Sequence, residues 1–180
     1  MKSFTPRWRL GACVSEGGRA AGSTSQEADR QPIDSPQAAL ALKGAVLGPS
    51  QWHLVTQKDV DVFARVTGDT QWIHVDPVRS GAGPFGACIA HGQFTLSLAG
   101  GKFFHELVRT SAKSGINYGL DRVRFPSPVR VGSRIRATAE LREAERLDDA
   151  GVQLAVRIAV EVEGEQRPAC VADFIARYEF

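Results

Sequence analysis

Residues 89–107 read IAHGQFTLSLAGGKFFHEL, a stretch dominated by apolar and small side chains. It is too long for an ordinary strand, and its composition predicts a mostly buried helix. Two glycines inside a helix each cost roughly 1 kcal/mol relative to alanine. Gly100 and Gly101 therefore indicate close backbone packing against a neighbouring element, which we expect to be a sheet.

Alternating apolar and polar residues in the C-terminal half predict that sheet. The alternation is typical of strands with one buried face. It marks the stretches 117–125, 135–141, 152–162 and 169–178. Turn-forming residues at 148–151 and 163–166 join the last three stretches into an antiparallel meander.

A shorter amphipathic helix is predicted before the apolar stretch. Thr56 can cap its start, while Asp59 suits the positive end of the helix dipole. Gly68 is expected to end the helix. Residues 69–85 then contain several prolines and glycines, so we expect an ordered loop region there.

The order of these elements predicts the fold class. A helix, ordered loops, a long apolar helix and antiparallel strands, without alternating strand-helix units, indicate an α+β fold. An antiparallel sheet wrapped around a long central helix would hide the apolar faces of both. Residues 36–180 are predicted to form this domain. Residues 1–35 are rich in Gly, Ser, Ala, Gln and Arg without helical or strand periodicity, and are predicted to be a disordered leader.

Charge and cysteine content exclude several classes of function. The net charge of +2 gives no field that would attract nucleic acid or an anionic membrane. Cys13, Cys88 and Cys170 are odd in number and widely separated, so neither a disulfide framework nor a zinc site is predicted. The basic N-terminus lacks the apolar segment of a secretory signal, and no apolar run approaches membrane-spanning length. We expect a cytoplasmic protein.

Two short segments combine titratable residues and glycine where packing alone does not require them. Residues 68–77 read GDTQWIHVDP, and residues 85–92 read FGACIAHG. Asp69 and His74 lie five residues apart in a loop, where an acid and a base could converge on one water molecule. Free backbone N–H groups near His91 and Gly92, at the start of the apolar helix, could stabilise negative charge on a carbonyl oxygen.

Each of these residues alone also has a structural interpretation. Asp69 could satisfy turn amides, His74 could be a half-buried structural histidine, and residues 90–92 could be a helix entry without a ligand. Metal binding by His74, Asp76 and His91 is a further alternative. Their spacing matches no compact ligand set, so we predict no metal site.

Together the two segments resemble the hydratase motif of the MaoC-like dehydratases, the (R)-specific enoyl-thioester hydratases of the hot-dog fold. The matching positions are Gly68, Asp69, Ile73, His74, Asp76, Pro77 and Ile89 to Gly92. The resemblance covers Thr56 to the C-terminus, and residues 117–133 resemble the NodN-like branch in particular. Many members carry Asn-Pro where this chain has Gln71-Trp72.

The resemblance implies a function and a set of site residues. It implies that Asp69 and His74 bind and activate water, that the Gly92 N–H holds the thioester oxygen, and that the Gln71 amide assists. The implied substrates are (R)-3-hydroxyacyl and trans-2-enoyl thioesters of coenzyme A or acyl-carrier protein, and no cofactor is needed. Hot-dog domains pair with the substrate pocket at the interface, so the resemblance also implies a homodimer.

The chemistry leaves the order of proton transfers open. Charge moves onto the thioester oxygen as water adds, and a free aspartate is a weak base, so we expect the site to desolvate Asp69. His74 would deliver the α-proton, or the two residues would exchange roles. Because fold alone does not settle function, a non-catalytic acyl-thioester-binding module and an acyl-CoA thioesterase stay as alternatives.

Overall fold

The computed structural model describes residues 30–180. Its helices are α1 (Pro36–Ala41), α2 (Gln57–Thr67), α3 (Trp72–Val75), α4 (Pro77–Gly81), α5 (Gly92–Leu98) and α6 (Phe104–Leu107), with a π-helical segment at Ala99–Phe103. Its strands are β1 (Gln31–Ile33), β2 (Val46–Leu47), β3 (His53–Leu54), β4 (Val108–Thr110), β5 (Ser114–Arg124), β6 (Arg134–Arg146), β7 (Gly151–Val162) and β8 (Cys170–Glu179). Among residues 30–180, no helix has the length and hydropathy needed to cross a membrane.

The large sheet confirms the predicted meander. Strands β6, β7 and β8 pair antiparallel in succession, and the sheet order is β2-β6-β7-β8-β5, with β3 also pairing with β6. Along β7 every second side chain is buried, because alternate side chains of a strand point to opposite faces. Strand β5 pairs antiparallel with β8 and forms one edge of the sheet.

Residues 92–107 form one continuous helical run, the central helix, made of α5, the π-helical segment and α6. Phe103 lies fully inside the core beneath the sheet. A Cβ atom built on Gly100 would lie 2.4 Å from Cε1 of Phe174 on β8, so the predicted close packing against the sheet is confirmed at Gly100. For Gly101 the expectation is wrong, since a Cβ there would meet nothing within 4 Å.

Residues 56–81, before the central helix, contain the helices α2, α3 and α4 and carry Asp69 and His74. Thr56 and Asp59 form the expected capping box at the start of α2, and Gly68 ends this helix with φ of 79° in the left-handed region. The predicted loop region 69–85 contains the short helices α3 and α4. The Asp76 carboxylate caps α4 by accepting the Arg79 N–H at 3.0 Å.

The last part of the expected leader is ordered, which corrects the boundary at residue 35. Strand β1 pairs in parallel with β4, and Ile33 is only 1% exposed. The Ser35 side chain caps α1. The pairing joins segments far apart in sequence, so local composition did not reveal it. Residues 1–29 of the expected leader lie outside the described residues.

Two of the cysteines lie within the described part of the chain. Cys88 and Cys170 are both free and buried. Burial raises the pKa of the Cys170 thiol to about 11. Cys13 lies outside the described residues.

Candidate active site

The two segments singled out in the sequence meet at the N-terminal end of the central helix. One ligand-type atom from each of Asp69, His74 and His91 lies within 4.8 Å of the others. His74 and His91 are 7% and 3% exposed, whereas the Asp69 side chain is 58% exposed. The site therefore has two buried imidazoles beside one open carboxylate.

The position and the tautomer of His74 are fixed by backbone contacts. Its Nδ1 lies 2.6 Å from the carbonyl oxygen of Ile89. A carbonyl oxygen only accepts hydrogen bonds, so Nδ1 carries the proton and Nε2 of the neutral ring keeps a lone pair. The Gln57 amide donates to the His74 carbonyl at 2.7 Å, and the Ile89 N–H donates to the Ile73 carbonyl at 2.9 Å. Helix α3 is thus held to both α2 and the strand-like entry of the central helix, and Nε2 of His74 can exchange a proton.

His91 is the N-cap residue of the central helix and lies against His74. Their rings stack with centroids 3.7 Å apart and planes 23° from parallel. The Nε2 of His91 lies 2.9 Å from the backbone carbonyl oxygen of Asp69, so this nitrogen donates. From the sequence, His91 was expected to lie beside the free N–H groups at the start of the central helix, or to be one of the metal ligands of the alternative interpretation. The position of His91 within the Ala-His-Gly sequence at 90–92 was the feature of the sequence from which a further role could have been predicted.

Asp69 lies at the surface, directly after α2. Its carboxylate Oδ2 is 4.0 Å from Nε2 of His91. The Asp69 side chain is 58% exposed. Within residues 30–180 of a single chain, the expectation that the site desolvates this carboxylate is therefore wrong.

Gly92 is the first residue of the central helix. The first N–H groups of a helix have no carbonyl acceptor within it, so they can donate to a ligand. A Cβ atom on Gly92 would lie 2.9 Å from the Phe125 ring, closer than side chains tolerate. Phe125 is 41% exposed and forms a wall beside the Gly92 backbone. Only glycine leaves room between this wall and the helix end.

Gln71 is the N-cap residue of α3, the helix that contains His74. Its backbone carbonyl accepts the His74 N–H at 2.9 Å and so starts α3. Its side chain is exposed and does not cap the helix.

Comparison with known proteins assigns the chain to a family. A family profile described as the MaoC like domain matches residues 39–163, more than half of the chain. The chain belongs to the MaoC-like family. The antiparallel sheet around a central helix is the hot-dog arrangement of its structural neighbours, as the sequence resemblance implied.

Individual relatives of this MaoC-like protein agree with that assignment. It is 52% identical over 139 residues to 3-hydroxyacyl-thioester dehydratase Z of Mycobacterium tuberculosis, covering 77% of this chain and 91% of that protein. It is 42% identical over 139 residues to Nodulation protein N of Rhizobium leguminosarum bv. viciae, covering 76% and 86%. The solved (R)-hydratase from A. caviae involved in PHA biosynthesis superposes with a TM-score of 0.55 at 26% identity, covering 72% and 96%. The resemblance to the NodN-like branch is thus confirmed.

The metal alternative is tested by the ring geometry. The cluster contains Asp69, His74 and His91, whereas Asp76 is used as the cap of α4. Imidazole lone pairs lie in the ring plane, so two rings stacked within 23° of parallel point their lone pairs side by side. They cannot converge on one ion at about 2.0–2.1 Å, the usual zinc-nitrogen distance. As arranged here, the residues do not fit a metal.

A cavity of about 200 Å³ lies between the central helix and the sheet. Its lining includes the apolar residues Phe104, Ile116, Val156 and Phe174, together with Gly100 and Tyr178. Gly100 follows Gly92 by eight residues, which is about 12 Å along a helix at roughly 1.5 Å per residue. The cavity and the histidine pair therefore lie on the same helix, about two turns apart. Burial raises the pKa of the Tyr178 hydroxyl, which also lines the cavity.

Proposed function

We propose that this MaoC-like protein reversibly adds water to an enoyl thioester, interconverting trans-2-enoyl and (R)-3-hydroxyacyl thioesters. The observation that carries the proposal is the convergence of Asp69 and His74 within 4.8 Å at the N-terminal end of the central helix. The 52% identity to a protein named as a 3-hydroxyacyl-thioester dehydratase supports the same reaction class.

Asp69 and His74 are proposed to hold one water molecule between them. The proton of His74 Nδ1 is engaged by the Ile89 carbonyl, so Nε2 and the Asp69 carboxylate are both acceptors at the start. One of them takes a proton from water as the oxygen bonds to the β-carbon. A proton then reaches the α-carbon from the dyad, and both groups return to their starting state. The exposed Gln71 amide would help to orient this water.

Gly92 is proposed to stabilise the charge that develops on the thioester oxygen. Its N–H belongs to the unpaired first turn of the central helix, where the helix dipole also favours negative charge. Such donors act most strongly on charge that appears only in the transition state. The acyl chain would then run along the central helix towards the cavity near Gly100. No step of this reaction requires a cofactor.

A homodimer is proposed to complete the site. Asp69 is open in the single chain, and the β5 edge leaves Ile116, Tyr118 and Leu120 between 44% and 51% exposed. A sheet edge with unpaired backbone groups is a template for another strand. Pairing through β5 would cover these side chains and join two sheets. Light scattering should show a dimer, and Ile116→Lys should weaken it; a monomeric wild type with full activity would contradict this assembly.

The proposed substrate carrier is coenzyme A or acyl-carrier protein, and the proposed compartment is the cytoplasm. The two buried free cysteines fit a reducing compartment. Both carriers should be assayed with the same acyl group.

The reaction class can be tested by mixing purified protein with crotonyl-CoA and with a longer trans-2-enoyl-CoA. Loss of enoyl absorbance without release of free thiol is the expected result. Asp149→Asn, a change of the same chemistry on the β6-β7 turn, serves as the matched control for Asp69→Asn. Thiol release from a saturated acyl-CoA would instead indicate a thioesterase, and binding without turnover a non-catalytic module.

A further inference from the structure

We propose that His91 is a positioning residue, whose Nε2–H holds the Asp69 backbone at the correct distance from His74. This inference rests on the proposed function, in which Asp69 and His74 share one water. Neither the sequence motif nor the resemblance assigned His91 this role. It is a buried titratable group that the proposed proton transfers do not use.

The contact with Asp69 joins two parts of the chain that are 22 residues apart. His91 Nε2 donates to the Asp69 carbonyl at 2.9 Å. The backbone N–H of Asp69 has only a local contact, at 3.4 Å from the Thr67 hydroxyl. The residue after it, Thr70, is likewise bonded locally, to the Gly68 carbonyl. Among the described residues, the His91 bond therefore ties this exposed turn to the buried central helix.

The same ring also supports His74. His91 covers one face of the His74 ring at 3.7 Å, and Phe63 of α2 contacts His91 with ring centroids 5.1 Å apart. Phe63 in turn packs edge-on against Phe94 of the central helix. The imidazole pair is thus backed by aromatic side chains from two helices. A ring held in this way cannot swing without displacing the Asp69 carbonyl.

The two nitrogens of His91 differ in their hydrogen bonding. Nε2 must carry a proton to donate to a carbonyl. Nδ1 is buried and has no hydrogen-bond partner in the part of the chain that the structure describes. His91 therefore acts by donating from Nε2, while His74, whose Nδ1 proton is engaged by the Ile89 carbonyl, is the imidazole proposed to exchange protons. The charged group facing both rings is the Asp69 carboxylate.

Three substitutions separate the hydrogen bond from the ring packing. In His91→Gln the amide nitrogen stands the same number of bonds from Cα as Nε2 of histidine, so the donor is kept and the ring is lost. His91→Phe keeps a stacked ring and loses the donor. His91→Asn carries a donor at the place of Nδ1, too short to reach the Asp69 carbonyl.

The variants should be compared by steady-state hydration of crotonyl-CoA, with thermal unfolding as the control for folding. We expect kcat to fall about 10- to 100-fold in His91→Phe and His91→Asn, with KM within about twofold, because small misplacement of catalytic groups is costly. His91→Gln should recover all but about threefold of kcat. Full activity in His91→Phe, or equal losses in all three variants, would overturn the proposal.

A measurement that needs no turnover distinguishes failure of this inference from failure of the proposed function. Long-range proton-nitrogen NMR spectra of the imidazoles should show His91 protonated at Nε2 and His74 protonated at Nδ1 in the free protein. The opposite tautomer of His91 would overturn the inference, whatever the activity. An inactive wild type with the expected tautomers would refute the hydratase assignment and leave the His91-Asp69 contact standing.

Discussion

The two adjacent glycines of the central helix should respond differently to the same substitution. In Gly100→Ala the new methyl would lie 2.4 Å from Cε1 and 3.0 Å from Cδ1 and Cζ of Phe174. Ordinary carbon contacts are at about 3.5–4.0 Å, so the ring must retreat by about 1 Å. In Gly101→Ala the methyl would meet nothing within 4 Å. The second variant is thus a matched control for the first.

The magnitude follows from two opposing contributions. Alanine is favoured over glycine in a helix by about 1 kcal/mol, and this gain applies at both positions. Overpacking costs about 1–3 kcal/mol, and it applies only at Gly100, where the Phe174 ring must move. We therefore expect Gly101→Ala to raise the free energy of unfolding by about 1 kcal/mol. Gly100→Ala should lie about 1–3 kcal/mol below it.

Urea unfolding at one protein concentration measures this difference. With a slope of about 2 kcal/mol per molar urea, the two midpoints should differ by about 0.5–1.5 M. Phe174 also lines the cavity, so its displacement in Gly100→Ala should raise KM for a long enoyl-CoA more than for crotonyl-CoA. Equal midpoints for the two variants would refute the proposed close contact between the central helix and β8.

Two further predictions concern the proposed oxyanion site at Gly92 and the buried Cys170 thiol. Gly92→Ala keeps the N–H but places a methyl 2.9 Å from the Phe125 ring, so we expect kcat/KM for crotonyl-CoA to fall at least about tenfold; unchanged kinetics would show that the thioester does not approach this backbone. Burial raises the pKa of the Cys170 thiol from 9.0 to about 11, so the folded state holds this proton more tightly than the unfolded state. The resulting stabilisation of the folded state is fully present below pH 9 and is lost as the pH rises towards 11. Between these pH values the wild type should lose about 2 kcal/mol more of its unfolding free energy than Cys170→Ala, and parallel pH profiles of the two proteins would contradict this.

The elements with a strong local signal could be predicted from the sequence. Alternation along residues 152–162 predicted β7, because one face of that strand is buried against the central helix. Thr56, Asp59 and Gly68 predicted both ends of α2, since caps and left-handed glycines depend on neighbouring residues. The proximity of Asp69 to His74 and to the start of the central helix was expected in the same way, from polar residues where packing does not need them.

The features that sequence analysis missed depend on contacts between distant segments. The His91-Asp69 hydrogen bond and the stacking of His91 on His74 join α2, α3 and the central helix, and no spacing along the chain indicates them. The pairing of β1 with β4 ordered a segment that composition alone assigned to the leader. Gly100 and Gly101 are adjacent residues of the same type, so the sequence does not distinguish them. They differ in the structure because Phe174 lies against Gly100 and nothing lies within 4 Å of a Cβ on Gly101.

The central claim, that Asp69 and His74 act as one unit on a single water, is tested most directly by a double-mutant cycle on crotonyl-CoA hydration. We expect Asp69→Asn and His74→Gln each to lower kcat by at least about 100-fold, the scale of general acid-base catalysis. The double variant should be no slower than the worse single variant, because groups that act as a unit are not additive. Full activity in either folded single variant, or losses that multiply in the double variant, would contradict the account.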